Sequence, residues 1–85
     1  MTKPDQETLH IILREIATYL QRGVLPVHNE HLKYLREEGD VLEYLLFLKK
    51  EGLISGDVVS RGIDSIPYRM TNIRLTYAGI KMLQT

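Results

Sequence analysis

Asp40-Val41-Leu42-Glu43-Tyr44-Leu45-Leu46-Phe47-Leu48-Lys49-Lys50-Glu51-Gly52-Leu53-Ile54-Ser55-Gly56-Asp57-Val58-Val59 is the stretch whose reading decides the fold. Val41, Leu42, Leu45 and Leu48 recur at helical spacing and form one apolar face. Asp40 and Glu43 have the spacing of a capping box, with Asp in place of the usual Ser or Thr. The segment therefore reads as a helix over 40–51, stopped at Gly52. Past Gly52 the period changes, and residues 53–59 read as a strand. The turn-rich Ser60–Pro67 follows, with Gly62, Asp64 and Pro67 inside it. Residues 68–75 read as the returning strand, with a bend or bulge at Asn72 where the alternation slips.

Upstream, Leu9, Ile12, Leu13, Ile16 and Leu20 mark one face of a helix over 5–22. Pro4 stands at its start, Asp5 and Glu7 suit its N-terminal dipole, and Gly23 reads as its stop. Gly23 to His28 is a connector containing Pro26. A short helix is expected over 29–37, with Asn29 as N-cap and Leu32 and Leu35 as its apolar stripe. Glu38-Gly39 reads as the break before the next helix. Downstream, Thr76 caps a last helix over 77–84, with Ile80 and Leu83 packing it down. Gly79 is expected to allow a close backbone approach against the first helix. Three helices, a β-hairpin wing and a short C-terminal helix make an α+β, winged helix-turn-helix pattern. Residues 1–85 form a single domain, since a chain this short cannot build two cores.

Composition limits the function classes. The chain has no cysteine, so a disulfide framework, a thiolate zinc site and a cysteine nucleophile are all excluded, and a cytoplasmic compartment is expected. No apolar run approaches the ~20 residues of a membrane span. The N-terminal Met1-Thr2-Lys3-Pro4-Asp5-Gln6-Glu7 lacks the apolar core of a secretory leader. Eleven basic residues balance eleven acidic ones, so the total charge leaves no electrostatic footprint for nucleic acid.

Two stretches resemble a known family. Phe47-Leu48-Lys49-Lys50-Glu51-Gly52-Leu53-Ile54 resembles the end of the third helix in many bacterial winged-helix proteins. Leu75-Thr76-Tyr77-Ala78-Gly79-Ile80-Lys81-Met82-Leu83 resembles their terminal helix. Together, over residues 7–84, they look most like the YjcQ-like family of small bacterial winged-helix proteins. That resemblance implies a winged helix-turn-helix, often encoded by prophages and other mobile elements, with a function largely unassigned. It carries no functional residues over.

The residues show no constellation for catalysis. Glu37 and Glu38 are adjacent on a helix and point about 100° apart, so they do not converge. Ser55, Ser60 and Ser65 lack a His/Asp context, and Gly52, Gly56 and Gly62 make no phosphate loop. His28-Asn29-Glu30-His31 has a spacing that hints at a metal, but no cysteine completes it. It reads as a solvent-facing helix start. Neither a cofactor nor a small-molecule substrate is implied.

Two partner classes stay open. A winged helix commonly lays its third helix in the major groove of duplex DNA. Lys49, Lys50, Arg61 and Arg69 are the candidate phosphate contacts, although the helix and the wing carry no net positive charge. Alternatively, Tyr44 and Phe47 fall off the core face of the third helix. They mark a candidate surface for a homodimer or a protein partner.

Overall fold

The computed structural model describes residues 5–35, 38–62 and 66–84. Among them run helix α1 (Gln6–Gln21), a 3-10 helix (Asn29–Leu35), helix α2 (Glu38–Lys50), strands β1 (Ile54–Arg61) and β2 (Ile66–Leu75), and helix α3 (Tyr77–Leu83). The chain is α+β, and β1 and β2 pair as an antiparallel hairpin.

Helix α1 follows its apolar stripe. Leu9, Ile12, Leu13 and Ile16 are all buried, and each such side chain contributes roughly 1.5–3 kcal/mol relative to exposure. Asp5 is its N-cap. The Thr8 N–H and hydroxyl both donate to Asp5 Oδ2, at 3.3 and 2.8 Å. The C-terminus closes in a Schellman motif, with Val24 N–H on the Tyr19 carbonyl and Gly23 N–H on the Leu20 carbonyl. Gly23 stands at φ +81°, a conformation that favours glycine. Helix α2 ends identically: Leu53 N–H reaches the Leu48 carbonyl, Gly52 N–H reaches that of Lys49, and Gly52 has φ +76°.

The start of α2 departs from the sequence reading. The helix begins at Glu38, so Asp40 lies inside its first turn and is not the N-cap. Gly39 does not break the helix. First-turn N–H groups have no intrahelical acceptor, and a glycine there disturbs little. Asp40 still suits the positive end of the dipole. The break expected at Glu38-Gly39 is therefore helix, and residues 36 and 37, where the sequence reading ends the preceding helix, lie outside the described residues.

The hairpin is longer than expected. Arg61 pairs with Ile66 and Ser60 with Pro67, so both ends of the expected 60–67 turn belong to the strands. Pro67 is tolerated because a register shift lies beside it, between Val59 and Ser60. The expected Asn72 bulge is present. Asn72 has φ +56°, and the register shifts between Ser55 and Asp57 opposite it.

The short helix expected in the second segment is present as a 3-10 helix over Asn29–Leu35, but Asn29 does not cap it. Residues 27–30 run antiparallel to β2 and bond to it largely through side chains. Ile73 N–H donates to the Val27 carbonyl at 3.0 Å. His28 Nδ1 meets Thr71 Oγ1. Asn29 Oδ1 accepts Met70 N–H at 3.0 Å, and Glu30 accepts both contacts of Arg69 Nε at 3.0 Å. The side chains at 28–30 thus stand in for a strand ladder on the edge of β2 that β1 leaves open. They spend their polar groups there and not on a helix start.

Helix α3 is capped as expected, with Gly79 N–H donating to Thr76 Oγ1 at 3.1 Å. Gly79 makes its close approach to the Leu53 carbonyl, not to α1, because Thr76 pins the helix beside the end of α2. Thr76 Oγ1 donates to the Gly52 carbonyl at 2.6 Å and Thr76 N–H to that of Leu53 at 3.2 Å. Ile80 does not pack down and is 45% exposed; Met82 and Leu83 take that part. The core joins Val41, Leu42, Leu45 and Leu48 of α2 to the α1 stripe, Val27, Leu32, Ile54, Met70 and Ile73.

Candidate functional site

Helix α2 presents its core face inward and its charges outward. Lys49 and Lys50 are exposed in its last turn, and Asp40, Glu43 and Glu51 are exposed along and just beyond it. The two lysines lie beside the base of the hairpin, where the chain turns at Gly52 into β1. Arg61 stands at the far end, opposite Ile66. From Ser55 to Arg61 is six residues of strand, or about 20 Å. That exceeds the screening length of about 8 Å at physiological salt, so the two ends act as separate charges.

Two of the hairpin arginines are already engaged. Arg69 forms a salt bridge to Glu30 at 3.0 Å, with the two side chains 39% and 42% exposed. That contact with Arg69 holds the Glu30 carboxyl below its ordinary pKa. The Arg61 guanidinium lies over the Tyr68 ring, 4.6 Å from its centroid. Of the four candidate phosphate contacts, Lys49 and Lys50 are sequence neighbours that point about 100° apart in the last turn of α2. Arg61 and Arg69 lie at the outer half of the hairpin.

Tyr44 and Phe47 are each half-buried and pack against the core cluster. Asp5 N–H donates to the Tyr44 hydroxyl at 3.2 Å, so the start of α1 covers part of this arc. Leu46, between them in sequence, packs against the same core.

His28 and His31 come together, but as a structural pair. Their rings stack 5.5 Å apart at 9°, and His28 N–H donates to His31 Nδ1 at 2.9 Å. Among the described residues, no group of three or more His, Cys, Asp or Glu side chains is placed to hold a metal ion. Sequence reasoning missed Glu30 as the residue that controls Arg69. The two are 39 positions apart, and no local pattern joins them.

Among the described residues, no helix is long and apolar enough to cross a membrane. No protein-family model matches the chain, and no curated protein or solved structure is significantly similar to it.

Proposed function

We propose that this chain is a non-enzymatic winged helix-turn-helix domain, of the small bacterial type its two motifs resemble, that binds duplex DNA as a regulatory module in the cytoplasm. One observation carries the reading. The segment 27–30 bonds to β2 on the edge away from β1, so the order across the sheet is connector, β2, β1. Helix α2 leads through Gly52 straight into β1. A short pairing segment ahead of α2, and a hairpin directly after it, is the order a winged helix would have, and it supports that reading. In that arrangement α2 would be the reading helix and the β1–β2 hairpin the wing.

The charge distribution sets how it would bind. Phosphate neutralisation supplies most sequence-independent affinity, and here it rests on Lys49, Lys50 and Arg61, with Arg69 held by Glu30. Affinity for random duplex at physiological salt is expected to be poorer than roughly 10⁻⁵ M. Titration of a random duplex at two salt concentrations tests this, with wild type beside a variant in which Lys49, Lys50 and Arg61 are all Ala. The expected result is weak, salt-sensitive binding whose salt slope falls in the variant. Submicromolar binding that the triple variant leaves unchanged would refute the assignment of these residues.

The second reading is a winged-helix module for protein interaction or dimerisation that does not bind DNA. The dispersal of the basic side chains favours it. Binding absent at low salt as well would select it.

A further inference from the structure

The fold gathers apolar side chains from four separate segments into one concavity of about 570 Å³. Ala17 and Leu20 of α1, Leu25 of the connector, Leu75 of β2, and Ile80 and Leu83 of α3 line it. Exposed apolar surface is ordinary in itself. Its concentration here is not. The two most exposed aliphatic side chains among the described residues, Leu25 at 59% and Ile80 at 45%, both line this groove. The next two, Ile11 and Val58, do not.

Among the described residues, one charged side chain lines the groove, and it is Arg74. The other hairpin arginines are occupied, Arg69 by Glu30 and Arg61 by the Tyr68 ring. Arg74 is exposed and has no ion pair among the described residues. The amides of Gln21 and Gln84 add neutral hydrogen-bonding groups to the lining, and among the described residues no carboxylate side chain does.

We propose that this groove between α1 and α3 binds an amphipathic monocarboxylate, such as a medium-chain fatty acid or an aryl carboxylate. The apolar body lies against Leu20, Leu25, Ile80 and Leu83, and the carboxylate meets the Arg74 guanidinium. The chemistry follows from the lining. A single cation balances a single negative charge, and a guanidinium matches a planar carboxylate through two parallel N–H donors. The volume falls within the range of small-molecule pockets, roughly 300–1,000 Å³. The site is independent of whether the domain binds DNA.

The test titrates the whole chain with sodium dodecanoate below its micellar concentration, following binding heat and methyl resonances. Dodecyltrimethylammonium, with the same tail and the opposite head, serves as the second arm. Arg74 and Ile80 are exposed, so Arg74→Gln and Ile80→Asn should melt close to wild type. Wild type is expected to bind dodecanoate saturably, one to one, and to prefer it over the cationic analogue. Arg74→Gln should weaken dodecanoate about tenfold or more, because it removes a charge-assisted contact. Ile80→Asn should weaken it several-fold. Absence of saturable binding, equal affinity for both heads, or undiminished binding in both variants would overturn the proposal. So would concentration-dependent self-association that Ile80→Asn abolishes and dodecanoate does not compete with, since the groove would then belong to a second copy.

Discussion

Asn29 Oδ1 accepts the backbone N–H of Met70 at 3.0 Å, with both residues buried. The bond joins the connector to the hairpin and takes the place of a backbone rung. Asn29→Ala would leave the Met70 N–H buried with no acceptor, a loss that costs about 1–3 kcal/mol. Among the described residues, Asn29 Nδ2 has no hydrogen-bond partner. Urea denaturation of wild type and variant measures the loss. An unchanged midpoint would show that the seam does not depend on this bond.

Gly79 lies against the Leu53 carbonyl, where a Cβ would collide with backbone. Replacing a helical glycine with alanine ordinarily stabilises, by about 0.5–1 kcal/mol. Here the sign should invert. Overpacking of this kind costs about 1–3 kcal/mol, and α3 would have to move off the end of α2. Thermal melts give the sign directly. A raised melting temperature for Gly79→Ala would show that α3 is not seated as described.

The Glu30–Arg69 bridge makes a pH prediction and a binding prediction. Arg69 holds the Glu30 pKa below its ordinary 4.5. A carboxyl lowered on folding stabilises above its unfolded pKa and loses that contribution as pH falls through its folded value. Wild type should therefore lose stability faster than Glu30→Gln as pH drops below 4.5. Both side chains are well exposed, so the difference should be small and should shrink in high salt. The same substitution frees Arg69. If the wing meets phosphate, Glu30→Gln should tighten binding to random duplex and steepen the salt slope by about one contact. Identical slopes for the two proteins would remove Arg69 from the nucleic-acid surface.

What the sequence made legible was local. The α1 stripe of Leu9, Ile12, Leu13 and Ile16, the glycine stops at Gly23 and Gly52, the Thr76 cap and the Asn72 bulge each depend on residues within a turn of one another. Gly39 misled because glycine commonly breaks helices, whereas in a first turn it costs little. The seam at His28, Asn29 and Glu30 carried no local sign. Its partners Thr71, Met70 and Arg69 lie about forty residues away, and a run of polar residues looks the same whether water or a strand edge satisfies it. The groove was hidden for the same reason. Leu25, Arg74 and Ile80 belong to three segments that only the fold brings together.

Phe47 packs half-buried against the core from the outer arc of α2, beside Tyr44, whose hydroxyl is bonded to the start of α1. Loss of a fully buried phenylalanine costs about 3–5 kcal/mol through lost contacts and the cavity left behind. Phe47 still faces water on one side, so Phe47→Ala should cost less, about 2 kcal/mol. That remains a large share of what a domain of this size possesses. If the ring serves its own chain, the loss appears in the monomer, and melts at several protein concentrations shift together. If it serves a partner copy, monomer stability stays the same and self-association falls, visible by sedimentation of wild type and variant. The packing leads us to expect the first outcome. Unchanged stability with weakened association would assign Phe47 to an interface and favour the protein-interaction reading over DNA.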